Sequence, residues 1–309
     1  MVLRSSVWIS RRNSIARQDQ TSNTIGTKAA IMTDTSSVTE VSGDQDRGLW
    51  TPGFIGVFLT QFLGSFNDNL LRWLSVGIGG RIGELTWQLQ GKELESWKTL
   101  MLTLGGIAFT LPYLFLMPLS GSLADRYSKR RIMIIMKCAE LVIMLFAVTM
   151  IIYGHVWMMF ISVGLMGAQS ALFGPSRFGS MPEILSNRHL STGNGFVGLA
   201  TVVAVALGSA AGYSVYGLVD QSVTATGIRL PDFLIGAVAL IGIAVAGILT
   251  SLMIPQLHPG NEETQLRFNP LTESIPALKV LWQDVRLVRT TFGIAFFWFL
   301  ASLTQTNAE

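Results

Sequence analysis

Seven long apolar runs, separated by shorter polar stretches, constrain this chain more than any other feature. They lie at about residues 53–79, 100–120, 132–153, 156–173, 194–219, 233–254 and 291–309. A helix of about 20 apolar residues matches the hydrocarbon thickness of a bilayer. In lipid each backbone N–H and C=O must find a partner within the protein, so such runs become helices. Only 13% of the residues are charged, against about 25% in soluble domains. The pattern predicts an all-α integral membrane protein, a helical bundle with six transmembrane helices and the start of a seventh.

The polar stretches divide the chain further. Residues 1–48 are rich in Ser, Thr, Asp and Arg without hydrophobic periodicity, which predicts a disordered tail. Met32 offers a second start for translation besides Met1. Residues 49–254 form the six-helix part, 255–290 a linker, and 291–309 the opening of the seventh helix. Loops 121–131, 174–193 and 255–290 together hold ten Lys and Arg, whereas the alternate loops hold four. The basic side faces the cytoplasm, so the tail and the linker are expected there. In the linker, Leu278, Leu281, Val285 and Val288 recur at helical spacing after Pro276, which predicts an amphipathic helix at the membrane surface. The sequence stops about nineteen residues into the seventh run. It reads as a fragment, a truncated frame or a half that needs a partner.

The first run is the least apolar and the most informative. Gln61, Ser65, Asp68 and Arg72 follow the spacing i, i+4, i+7, i+11, which sets them on one helical face; Asn67 and Asn69 flank it. At about 1.5 Å per residue, Arg72 lies roughly 6–9 Å outward from Asn67 and Asp68, which sit near the bilayer midplane. A charge at that depth costs about 2.5–3.5 kcal/mol on insertion scales and faces a partner or a wet cavity. Asp68 and Arg72, one turn apart, either neutralise each other or belong to a stripe lining a transport path. In the third run Lys137 and Glu140 are also one turn apart. Glu140 is a substrate or coupling-ion candidate unless Lys137 merely neutralises it. Gln169 is the strongly polar residue of the fourth run. In the fifth, Gly208 and Gly212 make a small-xxx-small pair suited to close helix packing.

Other chemistries find little support. The chain has no nucleophile elbow, phosphate-binding glycine loop, or His followed four residues later by Asp. Its histidines, His155, His189 and His258, fall on three separate loops, so no metal site or cofactor is expected. Cys138 stands alone, which excludes an intrachain disulfide. A net charge of +3, with the cations in loops, gives no nucleic-acid footprint.

The 121–131 stretch carries a resemblance. Gly121, Leu123, Ala124, Asp125, Arg126, Tyr127, Arg130 and Arg131 fit the pattern G-x-L-[GAS]-[DN]-[RK]-[FY]-G-R-[RK]-[RK], which resembles the loop between the second and third helices of major facilitator transporters. Ser128 stands where glycine is usual and Lys129 where arginine is usual. Two more stretches are similar to the lysophospholipid transporter branch of that family. One is Gln61-Phe-Leu-Gly-Ser-Phe-Asn-Asp-Asn-Leu70. The other is Gly174-Pro-Ser-Arg-Phe-Gly-Ser-Met-Pro-Glu183, followed by Asn194-Gly195.

The resemblance implies the N-terminal half of a facilitator, working by alternating access with a second six-helix half. By carry-over Gly121, Asp125, Arg126, Arg130 and Arg131 form a gating latch at the cytoplasmic face. Gln61, Ser65, Asn67, Asp68, Asn69, Arg72 and Glu140 are the candidate substrate residues. The implied substrate is a lysophospholipid, chiefly lysophosphatidylethanolamine, moved across the cell inner membrane among membrane lipid. Alternatives are a facilitator for another small molecule, or the transporter part of a fused 2-acylglycerophosphoethanolamine acyltransferase whose catalytic domains are absent from this sequence. The chain itself is not expected to be an enzyme.

Overall fold

The computed structural model describes residues 48–257 and 270–307. The expected disordered tail lies outside the described residues. Six long helices come first: α1 (Pro52–Trp87), α2 (Gly91–Arg126), α3 (Lys129–Ile152), α4 (Val156–Ile184), α5 (Asn187–Val219) and α6 (Leu230–Leu252). Two further helices, α7 (Pro270–Gln283) and α8 (Val285–Asn307), follow the linker.

Helix starts and stops follow local chemistry. Thr51 caps α1 by accepting the Phe54 N–H at 3.2 Å, and Pro52 occupies the first turn, where its missing N–H costs nothing. The α3–α4 turn passes through Gly154 at φ +67°, a left-handed conformation that favours glycine. Gly154 also lies against Gly227 so closely that a Cβ would sit 2.6 Å from the Gly227 nitrogen. Asp284 separates α7 from α8 and accepts the Arg286 N–H at 2.8 Å, the geometry of an N-cap.

Three expectations change here. The 121–131 stretch is hardly a loop: α2 continues through Arg126, and Tyr127–Ser128 alone interrupt the helical path before Lys129. Likewise Gly174–Glu183 is helical, carried inside α4 with Pro175 and Pro182. Charge and a proline mark a helix leaving the apolar slab, and neither forces it to stop when flanking turns supply the hydrogen bonds. The predicted amphipathic helix is cut at Asp284, so Leu278 and Leu281 lie on α7 while Val285 and Val288 open α8.

Helices α2 to α6 are long and apolar enough to cross a membrane; α1 falls below that apolarity. For α1 the packing supplies the reason. It is bordered by α2, α4, α5 and α6, so protein rather than lipid covers most of its surface. Gly208 and Gly212 let α5 lie against it: a Cβ on Gly208 would strike the Phe66 backbone, and one on Gly212 would sit 2.9 Å from the Leu70 carbonyl. Gly167 of α4 similarly abuts the Phe109 backbone of α2. In lipid such close backbone contact supplies much of the association energy.

The interior is layered. One apolar cluster gathers Phe54, Val57, Met133, Met181, Ile184 and Ile254. The other gathers Leu70, Leu74, Met144, Ile151, Met159 and Phe233. Along α1, α3 and α4 these clusters occupy opposite ends, and the buried Gln61, Asn67, Asp68, Asn69, Lys137, Glu140 and Gln169 fall between them.

Candidate functional site

The polar layer is built around α1 and reaches out in three directions. Toward α5, the Gln61 amide donates to Ser65 Oγ at 2.7 Å and to Thr201 Oγ1 at 3.0 Å. Toward α3 and α6, the Asn67 amide donates to Glu140 Oε1 at 3.1 Å and to the Leu240 carbonyl at 3.2 Å. Toward α4, Asp68 Oδ2 accepts the Ser170 hydroxyl at 2.7 Å. Asn69 donates to the Ser65 carbonyl at 2.8 Å and accepts from Arg72 at 3.0 Å. Arg72 also lies over the Trp73 ring, 5.6 Å from its centroid. The expected single stripe is therefore a belt, because a central helix has neighbours on most sides.

The Lys137–Glu140 pair is the most deeply buried charge in this belt. Lys137 Nζ donates to Glu140 Oε2 at 2.6 Å, and the two side chains are 2% and 1% exposed. The ammonium also faces the Phe173 ring at 5.3 Å. Gly64 of α1 makes room for it, since a Cβ there would collide with Lys137 Nζ; Gly247 of α6 borders the same side chain. Both oxygens of Glu140 are engaged, one by Lys137 and one by Asn67. This arrangement ties α1 to α3.

The Asp68 side is less complete. Its second oxygen, Oδ1, is buried without a protein partner, as are Asn67 Oδ1 and Arg177 Nε. Tyr113 of α2 lies within electrostatic reach of Asp68 and Arg177. The Arg177 guanidinium stacks at 4.1 Å on Phe178. Desolvated polar atoms without protein partners are costly in a finished interior. Sequence reasoning missed Ser170, Tyr113, Thr201 and the interior place of Arg177. Gln169-Ser170 inside an apolar run was the available signal; Arg177 was hidden by taking its stretch for a loop.

The expected latch residues gather at the other reach of the motif. Gly121 has open space where a Cβ would stand. Asp125 and Arg131 are exposed, and Arg126 lies over Tyr127 at 5.5 Å. Arg130 reaches the Leu252 carbonyl at 3.4 Å, while Ser128 donates to the Leu257 carbonyl at 2.9 Å. These contacts hold the α2–α3 junction to the end of α6. Beside them Lys129 bonds Glu183 at 2.5 Å, joining α3 to the end of α4.

A helical membrane bundle whose central helix carries a buried polar belt defines a protein of the polytopic transporter class. The chain matches the Major Facilitator Superfamily over residues 51–308, and it belongs to that family. It is 26% identical over 259 residues to the lysophospholipid transporter LplT of Enterobacter sp. (strain 638), covering 83% of this chain and 57% of that protein. It is 27% identical over 260 residues to LplT of Cronobacter sakazakii, with the same coverage of both chains. LplT of Yersinia pestis is 25% identical over 258 residues, 82% of this chain and 55% of that one. The chain thus spans little more than half the length of these relatives. No solved structure matches it.

Proposed function

We propose that residues 49–254 form the N-terminal six-helix half of a transporter that moves lysophospholipids across the bacterial inner membrane. The observation that carries this reading is the incomplete polar group at Asp68, set in a family member similar to proteins named for lysophospholipid transport. A zwitterionic lysolipid headgroup needs an anion for its ammonium and cations for its phosphate. The unpartnered Asp68 oxygen answers the first, and the Arg72 and Arg177 guanidinium groups the second. Gln61, Ser65, Asn67 and Asn69 fix the orientation of those charges. Glu140 acts through Asn67 in that role.

Alternating access requires a second half facing this belt. In that cycle Asp125, Arg126 and Arg130, with Gly121 and Arg131 beside them, close the cytoplasmic side. The excess of Lys and Arg in the loops on that side supports a cytoplasmic N-terminus. The linker around 255–290 connects the halves, and 291–309 opens the second.

The test is binding by the purified chain in phosphatidylcholine nanodiscs. A spin-labelled lysophosphatidylethanolamine should bind saturably, and Asp68→Asn and Arg177→Gln should each weaken it about tenfold or more, the scale of a charge-assisted contact. Equal binding by both variants and the wild type would overturn the reading.

A further inference from the structure

A second charged feature lies outside the belt. A cavity of about 560 Å³ is lined by Arg126, Tyr127, Ser128, Arg130, Arg131, Gln256 and Leu257. Among the described residues that line it there is no carboxylate, and three are arginines. The cavity occurs where the α2–α3 junction meets the segment that follows α6, and its floor is tied together by the Ser128–Leu257 and Arg130–Leu252 contacts. Arg130 spends one nitrogen on the Leu252 carbonyl, and its Nε is buried without a protein partner. Three guanidinium groups with no counter-charge among the described residues of the wall make a site suited to an anion.

The apolar surroundings narrow the choice of anion. Arg131 and Ile135 are one turn apart on α3, and both are exposed. Leu249 and Leu252 on α6, and Met253 just after it, are exposed before Gln256. The basic cavity is therefore continuous with apolar faces that run away from it along two helices crossing the bilayer. A small soluble anion would use the arginines alone. A phospholipid uses both: phosphate over the guanidinium forks, acyl chains along Ile135, Leu249 and Leu252. Guanidinium suits phosphate because its planar fork donates two parallel hydrogen bonds. Basic pockets between helices at a membrane face select anionic headgroups in the same way.

We propose that this cavity is a binding site for the headgroup phosphate of an anionic phospholipid, separate from the belt around Asp68. It does not depend on the lysophospholipid reading, because occupancy is measured without substrate or transport.

The purified 309-residue chain, in a neutral maltoside detergent, is titrated with dioleoyl phosphatidylglycerol or dioleoyl phosphatidylcholine, and bound lipid is counted by native mass spectrometry. Phosphatidylglycerol should bind more tightly than phosphatidylcholine. Arg131→Gln should weaken that binding about fivefold, the worth of one cation near an anionic lipid. Gln256→Glu, which sets a carboxylate among the arginines, should do at least as much. Neither should change phosphatidylcholine binding, and Arg131→Lys, which keeps the charge but not the fork, should weaken phosphatidylglycerol binding less than Arg131→Gln does. Both positions are exposed, so loss of fold does not confound the outcome. Equal binding of the two lipids, or full affinity in both variants, would overturn the proposal. Displacement of the lipid by an equal concentration of inorganic phosphate would also overturn it, by making the cavity a free-anion site.

Discussion

Glu140→Gln removes one charge from the Lys137–Glu140 pair while keeping the shape of the side chain and an oxygen for Asn67. The ammonium of Lys137 is 2% exposed, so it cannot turn to water when its partner loses its charge. Removing one member of a buried ion pair typically costs about 3–5 kcal/mol, most of it the penalty of the stranded charge. For a bundle of about 250 residues that corresponds to a midpoint roughly 10 °C lower. The second variant, Lys137→Met with Glu140→Gln, leaves no charge to strand and should recover most of the loss, because a neutral replacement of a buried pair is often tolerated. Thermal unfolding of the four proteins in one detergent gives the double-mutant cycle, with an expected coupling of about 2 kcal/mol or more. A Glu140→Gln midpoint within about 2 °C of wild type, or a double variant no better than the single, would refute the claim that Lys137 and Glu140 depend on each other as a buried ion pair.

Gly208→Leu should prevent α5 from closing on the Phe66 backbone and lower stability by about 1–3 kcal/mol, read as a lower unfolding midpoint. Asp284→Ala should free the Arg286 amide and speed hydrogen exchange in the first turn of α8 about fivefold, the effect of losing a cap of about 1 kcal/mol. Lys129→Gln should cost no more than about 1 kcal/mol, since its partner Glu183 is 30% exposed at the side chain.

Much of the architecture was legible because membrane helices announce themselves through composition. The six long helices fall on the apolar runs, and Gly208 and Gly212 sit at a helix contact as their spacing suggested. Helix ends were harder to read. Apolar runs mark where lipid begins and ends, whereas α1 runs eight residues past the run predicted to end at 79. The belt was half legible. Spacing along α1 reports which residues share a face of that helix, so it paired Asp68 with Arg72. Asp68 instead accepts a hydrogen bond from Ser170 and Asn67 donates one to Glu140, residues roughly 70 to 100 positions away in the chain. Lys137 and Glu140 were found in sequence because their pairing is local. What they do to Asn67 could be seen only with α1 and α3 side by side.

The central claim is that a lysophospholipid headgroup meets this chain at Asp68. Photolabelling tests it directly: the chain in phosphatidylcholine vesicles is irradiated with a lysophosphatidylethanolamine carrying a diazirine on its headgroup, and the adducts are mapped by peptide mass spectrometry. The account predicts labels in α1 near Asp68 and in α4 between Ser170 and Arg177, lost on addition of unlabelled lysophosphatidylethanolamine and strongly reduced in Asp68→Asn. Labels spread evenly over the lipid-facing residues of α2 and α6, unchanged in that variant, would contradict it.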